Sequence, residues 1–311
     1  MIAFTCNICG SPNRVEREAL EREKPSCASC GSSVRTRGVV HALAMELFGV
    51  GLSLTDFPRM RSLRGIGLSD ASHYADRLAG KLDYRNTFYL REPQLDIANP
   101  AADEFGKYDF LIASEVFEHV APPVEAAFQN AFRLLKPNGV LLLTVPYSLE
   151  PATVERFKGL HQFGLARVAD QMVLVNRSAA GDLQVFDNLI FHFGGEGPSL
   201  EMREFSEAGL RSSLAAAGFS EVRFYTEDCA AFGVIRSGSW SLPVAARKAP
   251  FAFQPAAARE ILTQWAALRK HFRELGGEFW VRLGYRLGFV NLRRYFASQD
   301  GGLQPKTDSD L

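Results

Sequence analysis

The stretch YDFLIASEVFEHV, residues 108–120, decides the fold of this chain. Its apolar centre, Phe110 to Ala113, is unbroken, which is typical of a strand buried on both faces. Polar side chains follow at once, at Glu115, Glu118 and His119. A buried strand that ends in such side chains predicts a parallel sheet with a ligand site at the carboxyl ends of its strands.

Strand and helix patterns alternate on both sides of this stretch and predict a doubly wound α/β domain. Ser69 or Asp70 is expected to cap the helix after the first strand, and a later helix is expected to begin after Ser206 and end at Gly218. Another helix is predicted from about Val124 to Leu135. The seven predicted strands are RSLRGIGL (61–68), NTFYL (86–90), QLDI (94–97), YDFLIASEV (108–116), VLLLTVPY (140–147), EVRFYTE (221–227) and WSLPVAARK (240–248).

The first strand leads into RGIGLSD, residues 64–70, where Gly65 and Gly67 begin a G-x-G-x-x-G spacing but Asp70 stands at the third glycine position. A dinucleotide needs all three glycines for its pyrophosphate and the adjoining helix. Taken alone, two glycines after a strand are also explained by a tight connection. The spacing therefore argues against a dinucleotide and leaves other cofactors open.

The segment from about residue 61 to 147 resembles the class I S-adenosylmethionine (SAM)-dependent methyltransferases of the type 11/12-like group. YDFLIASEVFEHV and FRLLKPNGVLLLTVP are similar to their fourth and fifth strand motifs, and RGIGLSD is similar to a divergent form of their glycine motif. The resemblance implies a Rossmann-like fold and SAM as the methyl donor. SAM has no phosphate, so the missing third glycine matters less for it than for a dinucleotide.

A set of cofactor contacts follows from the resemblance and from the strand ends. Two glycines would let the backbone approach SAM, Glu92 would bind the ribose, and Asp96 would accept a hydrogen bond from the adenine amino group. Glu118 and His119 either face the site or simply orient the loop. The expected cofactor-binding residues are Gly65, Gly67, Asp70, Glu92, Asp96, Ser114 and Glu115.

Four of the five cysteines form a C-x2-C-x17-C-x2-C pattern near the N-terminus. Two C-x2-C knuckles can offer four thiolates to one metal, and Gly10 and Gly31 allow the tight turn after each knuckle. The pattern predicts a zinc ribbon whose closed ligand shell is structural; iron is the other metal that suits four thiolates. Cys229 stands alone as a buried thiol. The expected metal ligands are Cys6, Cys9, Cys27 and Cys30.

An insert of about fifty residues, 151–200, separates the fifth strand from the next helix and is expected to roof the site. Its middle part predicts a hairpin that turns at SAAGD, residues 178–182. His192 and His161 are the candidate catalytic bases, because a hydroxyl acceptor is helped by a base that titrates near pH 7. Structural roles are open for both. The insert's aromatic residues would line an apolar substrate pocket or pack the hairpin: Phe157, Phe163, Phe186, Phe191 and Phe193.

Composition sets the outer limits. The 311 residues carry 35 basic and 35 acidic side chains, and this balance gives no general attraction to nucleic acid or anionic membranes. Without a secretory pattern at the N-terminus or an apolar run of membrane-spanning length, a soluble cytoplasmic protein is expected. The predicted domains are a ribbon (1–38), a methyltransferase domain (39–249), a helical extension (250–297) and a disordered tail (298–311).

Three functions follow, in order of preference. The first is SAM-dependent methylation of a hydroxyl or amine on a small molecule or sugar. The second is methylation of RNA or protein that is bound by the ribbon, and the third is a binding module without turnover. The basic, aromatic extension (250–297) is expected to pack on the core or on a second copy, which gives a homodimer; peripheral membrane contact is the lesser alternative.

Overall fold

The computed structural model describes residues 1–194, 197–236, 238 and 240–249. The predicted helical extension 250–297 and the tail 298–311 lie outside the described residues. The α-helices are α1 (Val34–Phe48), α2 (Ser72–Lys81), α3 (Glu125–Leu134) and α4 (Glu207–Ala217). The strands are β1 (Ile2–Thr5), β2 (Pro12–Val15), β3 (Met60–Leu68), β4 (Leu82–Thr87), β5 (Tyr108–Ser114), β6 (Leu135–Thr144), β7 (Tyr147–Ser148), β8 (Val154–Glu155), β9 (Gln162–Val168), β10 (Gln171–Arg177), β11 (Leu183–Phe186), β12 (Phe191–Gly194), β13 (Gly197–Leu200), β14 (Arg203–Ser206), β15 (Glu221–Phe224) and β16 (Val244–Arg247).

A central sheet organises the molecule, in the order β15-β16-β6-β5-β3-β4. Strands β3 to β6 run parallel, and β16 enters antiparallel to both of its neighbours. Helices α1 and α2 share one apolar cluster with one face of the sheet, and α3 and α4 share a second cluster with the other face. The predicted doubly wound α/β fold is therefore confirmed, with β5 buried between the two layers.

The count of seven strands is not confirmed, because the described sheet has six. The predicted third strand, 94–97, contributes only a single bridge between Phe88 and Gln94. Asn130 of α3 explains this, since its side-chain amide donates to the carbonyl oxygens of Ile97 and Ala98, both at 3.0 Å. The segment is held by a helix side chain instead of a neighbouring strand, and β4 forms the edge.

Helix ends were predicted with mixed success. Ser206 caps α4 by accepting from the backbone N–H of Gly209, and Gly218 ends it in the left-handed conformation, as predicted. The predicted cap of α2 by Ser69 or Asp70 is wrong: the helix begins after Ala71 without a side-chain cap. Asp70 is unavailable because it is buried beneath the helix among tyrosines.

The N-terminal segment packs directly on the sheet domain. Its apolar residues belong to the same cluster as α1 and α2. Arg37, fully buried in α1, donates to the carbonyl oxygens of Ser32 and Gly233 at 2.7 and 2.9 Å. Helix α1 starts in a capping box at Ser33 and continues to Phe48, so it runs through the predicted boundary at residue 38.

The insert forms small antiparallel sheets above the carboxyl end of the central sheet. Strands β10 and β11 make the predicted hairpin, in which the Ser178 N–H donates to the Asp182 carbonyl. Phe157 and Phe186 meet edge to face, with ring centroids 5.3 Å apart, within a cluster that includes Leu174. These two aromatic rings pack the insert. None of the helices in the described ranges has an apolar stretch of membrane-spanning length.

Candidate functional site

The four N-terminal cysteines converge on one point. The Sγ atoms of Cys6 and Cys30 lie 3.7 Å apart, and those of Cys9 and Cys27 lie 3.6 Å apart. All four ligand atoms are within 4.8 Å of one another. A tetrahedral zinc ion with Zn–S bonds of about 2.3 Å separates its sulfurs by about 3.8 Å. The cysteines therefore fit a tetrahedral metal, as their spacing predicted.

Backbone turns and polar side chains hold these thiols in place. Gly10 and Gly31 adopt φ angles of 79° and 69°, and their N–H groups close the two knuckle turns. The Asn13 side-chain amide lies 3.5 Å from the Cys27 sulfur, and its oxygen accepts from the Ala28 N–H at 3.0 Å. Such outer contacts fix the orientation of metal ligands.

Gly65 and Gly67 lie inside β3, and the turn after the strand contains neither of them. A Cβ on Gly65 would come within 2.1 Å of the Phe110 ring, and one on Gly67 within 1.9 Å of the Tyr84 hydroxyl. The two aromatic rings stack in parallel over the strand. In this structure the glycines make room for the protein's own side chains, and the left-handed residue of the turn is Ser69, with φ 56°.

Asp70 is buried, and both its oxygens are engaged. Tyr74 donates to Oδ1 at 2.6 Å and Tyr84 donates to Oδ2. Burial raises the pKa of this carboxyl to about 7, against the opposing effect of the two tyrosine hydrogen bonds. Asp70 therefore faces the packing under α2, and its role as an acceptor for SAM stays a prediction.

Two further predicted cofactor contacts lie in the loop between β4 and β5. Glu92 is exposed and accepts from the Gln94 N–H at 3.1 Å, beyond the end of β4. Asp96 is partly buried and accepts from the Ala98 N–H at 2.9 Å. Both carboxylates stabilise local turns, and binding of ribose or adenine by them stays a prediction.

Ser114 and Glu115 lie at the carboxyl end of β5, and two arginines from the N-terminal segment reach them. Arg22 contacts the two Glu115 carboxylate oxygens at 2.7 and 3.2 Å, and Arg35 donates to the Ser114 hydroxyl at 2.5 Å. Burial alone would raise the pKa of Glu115, but the charge and hydrogen bond of Arg22, the charge of Arg35 and a hydrogen bond from Thr144 together outweigh it, and the pKa is lowered. Glu115 has a φ of 58°, a left-handed conformation unusual outside glycine.

Sequence reasoning missed both arginines. They stand among many charged residues, and no spacing in that segment indicates that they turn toward β5. Glu23 lies between them and accepts from Arg35 at 2.8 Å, so the three side chains form one network over the sheet edge. Arg22 also donates to the Ser241 carbonyl at 2.9 Å. The N-terminal segment thus makes one wall of the edge where ligands bind in doubly wound folds.

A second polar group lies beside Glu115, where the insert meets the loop after β5. Glu118 and His119 occupy a single 3₁₀ turn, Phe117–His119, and His192 comes from β12. The ring centroids of the two histidines are 5.1 Å apart. Burial lowers the pKa of His119, whereas burial followed by the nearby Glu115 charge raises the pKa of Glu118 well above its usual value.

The two predicted catalytic histidines have different surroundings. Nε2 of His192 lies 2.7 Å from Oε2 of the buried Glu201, an arrangement that orients the ring. His161 is exposed, and its backbone N–H donates to the side-chain oxygen of Asn176 at 2.9 Å. The structure brings His192 to the sheet edge and leaves His161 outside the group around Glu118.

Comparison with known protein families finds one match to a domain model. Residues 45–187 match the family model described as "Methyltransferase domain", which covers β3 to β6 and most of the insert. No curated protein sequence matches the chain.

Solved structures similar to the chain include three methyltransferase structures. An amino pentose methyltransferase from Micromonospora echinaspora, bound to SAM, is 16% identical over 70% of this chain and 92% of its own, with a TM-score of 0.40. A 1,6-didemethyltoxoflavin N1-methyltransferase from Burkholderia thailandensis is 14% identical over 68% of this chain and 78% of its own, with a TM-score of 0.35. The CMeT domain of the citrinin polyketide synthase is 13% identical over 60% of this chain, with a TM-score of 0.34. The match covers 46% of the length of that domain's chain. At such scores these likenesses carry no argument about the substrate.

Proposed function

We propose that the chain, whose residues 45–187 match the model of a methyltransferase domain, is a class I SAM-dependent enzyme that methylates a hydroxyl or amine on a small molecule or sugar. The domain match is the observation that carries the proposal, because it covers the parallel strands whose carboxyl ends meet at one edge. SAM is proposed to bind there, beside Ser69, Asp96 and Glu115. The left-handed conformations at Ser69 and Glu115 support this edge as the site, since such strain clusters at ligand sites.

The chemistry asks little of the protein beyond alignment. The methyl group of a sulfonium is already activated, so the enzyme must hold the acceptor in line with it and exclude water. His192 is the better candidate base, because Glu201 orients its ring at the sheet edge. His161 is kept as the weaker candidate. The insert is proposed to cover the acceptor.

Zinc is proposed for the four cysteines. Their sulfur separations match a tetrahedral thiolate shell, which leaves no open position for catalysis. Iron is the alternative, and measurement of the metal content by mass spectrometry decides between them. A cytoplasmic location and a homodimer formed through residues 250–297 also stay predictions.

The two alternative functions differ in their support. Methylation of RNA or protein through the ribbon is disfavoured, because Arg22, Arg35 and Arg37 turn inward to protein partners instead of forming a basic surface. A binding module without turnover is favoured by one observation: Phe110 and Tyr84 fill the space beside Gly65 and Gly67.

Calorimetric titration of the purified protein with SAM and S-adenosylhomocysteine tests the proposal. We expect dissociation constants between about 1 μM and 1 mM, the range of enzyme substrates. Glu115→Gln should weaken binding about tenfold, since it disturbs the edge. Glu104→Gln is the matched control, because Glu104 pairs with Arg85 at the opposite end of β5.

Absence of both heat and thermal stabilisation at millimolar SAM would overturn the proposal. Transfer of a tritiated methyl group to cell extract distinguishes the enzyme from a binding module. Label in small molecules supports the preferred substrate class, whereas label in RNA or protein supports the alternative.

A further inference from the structure

Glu118, His119 and His192 form a group whose ligand atoms all lie within 4.8 Å of one another. The first two belong to the loop after β5 and the third to the insert, so the group joins two parts of the chain far apart in sequence. Glu118 is fully buried, His119 is 17% exposed and His192 is 37% exposed. The group is therefore closed on the carboxylate side and open to solvent on the histidine side.

Glu118 lacks a counter-charge. Neither of its carboxylate oxygens has a hydrogen-bond partner within the described part of the chain, and the nearest basic atom is Nε2 of His119, at 3.7 Å. Burial of an unpaired carboxylate is costly. Other acids in this region pair with arginines, as in Glu115–Arg22, Glu201–Arg156 and Glu155–Arg203. The Glu118 carboxyl is therefore left available to a ligand that enters from the histidine side.

Each imidazole has one ring nitrogen beside an oxygen acceptor, so its other nitrogen can keep a lone pair for a metal. Nδ1 of His119 lies 2.9 Å from the Leu200 carbonyl, which can only accept, so Nδ1 carries the proton and Nε2 keeps its lone pair. Nε2 of His192 lies 2.7 Å from the Glu201 carboxylate, which leaves the lone pair on Nδ1. Metal-bound histidines commonly donate their other N–H to a carbonyl or a carboxylate in this way.

We infer that Glu118, His119 and His192 bind a divalent transition-metal ion that retains open coordination positions. Two imidazoles and one carboxylate suit Zn²⁺, Fe²⁺, Co²⁺ and Mn²⁺ better than Mg²⁺ or Ca²⁺. Three protein ligands leave at least one position for water or a substrate oxygen. This ion is separate from the one proposed for the four cysteines, whose shell is complete.

The role of the ion deepens the proposed function and rests on it. A hydroxyl acceptor bound to the ion would lose its proton to water more readily, because the metal stabilises the alkoxide. Methyl transfer would form a bond between that oxygen and the methyl carbon while the carbon–sulfur bond breaks, and the electron pair of the broken bond would stay on sulfur in S-adenosylhomocysteine. With the ion bound, the metal would activate the acceptor, and His192 would help to hold the ion instead of acting as the free base that it could be in the metal-free protein.

Equilibrium dialysis of the full chain tests the site. The protein, with its cysteine cluster already filled, is dialysed against Zn²⁺, Co²⁺ and Mn²⁺, and bound metal is counted by mass spectrometry. We expect one ion per chain beyond the cysteine-bound ion. His119→Gln and His192→Gln should weaken the binding of this ion by more than about 100-fold, and Glu201→Gln by about 10- to 100-fold as an outer-shell change. His161 is an exposed histidine of the same insert, and the His161→Gln variant should bind this ion as tightly as the wild type does.

Glu118→Gln keeps the test decisive if a histidine variant fails to fold. It replaces a buried carboxyl that has no hydrogen-bond partner in the described part of the chain with a neutral amide of the same shape, so the metal-free protein should be about as stable as the wild type, yet it should lose the second ion. Failure of the wild type to bind a second ion at millimolar metal overturns the inference, as does unchanged affinity in Glu118→Gln. SAM titration of the same samples separates this failure from failure of the proposed function, because the cofactor contacts are different residues.

Discussion

The cysteine cluster and the glycine stretch of β3 are the two regions whose sequences most invite a functional interpretation, and the structure treats them differently. Each cysteine knuckle brings its own ligands together through a turn of a few residues, closed by Gly10 and Gly31. The meaning of Gly65 and Gly67 depends on Phe110 and Tyr84, which arrive from neighbouring strands. Spacing is reliable where the geometry is local, and ambiguous where a distant side chain decides what fills the space.

The largest expected effect concerns the cysteine cluster. Cys27→Ser should abolish metal binding there and lower the free energy of unfolding by more than about 5 kcal/mol, because the proposed metal would hold the two knuckles together. Chemical denaturation and metal analysis measure both quantities. Cys229→Ser, which changes a cysteine outside the cluster, should alter stability by less than about 1 kcal/mol. Retained metal and stability in Cys27→Ser would show that the knuckles merely lie close together.

Asp70 gives a second test, on the glycine side of the comparison. Its folded-state pKa of about 7 lies above the ordinary value of 3.8, so the folded protein binds a proton more tightly than the unfolded chain. The contribution to stability is complete below about pH 4 and is lost as the pH rises through about 7, with a total of roughly 4 kcal/mol. Asp70→Asn should remove this decline, measured by urea unfolding at several pH values. An equally pH-dependent variant would contradict the burial of Asp70 among tyrosines.

A third and smaller effect is expected from Gly67→Ala. The new Cβ would lie 1.9 Å from the Tyr84 hydroxyl and 2.2 Å from Oδ2 of Asp70, so the buried side chains must shift at a cost of about 3 kcal/mol. Gly80→Ala is the control. Gly80 lies in α2, where an added Cβ would meet no atom of another part of the chain within 4 Å, and the higher helix propensity of alanine should stabilise the protein by up to about 1 kcal/mol. If Gly67→Ala were stable but unable to bind SAM, the glycine would serve the cofactor and not the packing.

The smallest effect is expected from Asn13→Ala, which removes an outer contact of the cysteine cluster. Loss of its hydrogen bonds to Cys27 and Ala28 should cost about 1 kcal/mol of stability and about tenfold in metal affinity. Competition with a chelator measures the affinity. Asn99→Ala, in an exposed loop, should change neither quantity. Equal affinities in the two variants would indicate that the knuckle backbones alone determine the metal geometry.

Local patterns predicted much of the fold. The apolar run Phe110–Ala113 predicted a buried strand, and Ser206 with Gly218 predicted both ends of α4. These features depend on residues that are close together in the sequence, so the sequence alone indicates them. The third strand failed because Asn130, distant in sequence, takes the carbonyls that a neighbouring strand would need.

The candidate site was predicted only in part. Glu115, Glu118 and His119 follow β5 in the sequence, so their place at the sheet edge was foreseeable. Their partners were not foreseeable, because Arg22 comes from the N-terminal segment and His192 from the insert. Long-range convergence of this kind leaves no periodicity in the sequence, and only the tertiary structure reveals it.

Arg22 and Arg35 have a consequence for the whole molecule. Both belong to the segment that the cysteines organise, and both end on residues of the sheet edge, Glu115 and Ser114. If the cysteines bind a metal ion, as proposed, a molecule that favours one arrangement of these arginines would be linked thermodynamically to that ion. By reciprocity, the factor by which the metal ion would change the affinity of the edge for a ligand equals the factor by which that ligand would change the affinity of the cysteines for the ion. Oxidation of the thiols would then change the affinity for a ligand at the sheet edge, where Arg22 and Arg35 contact Glu115 and Ser114.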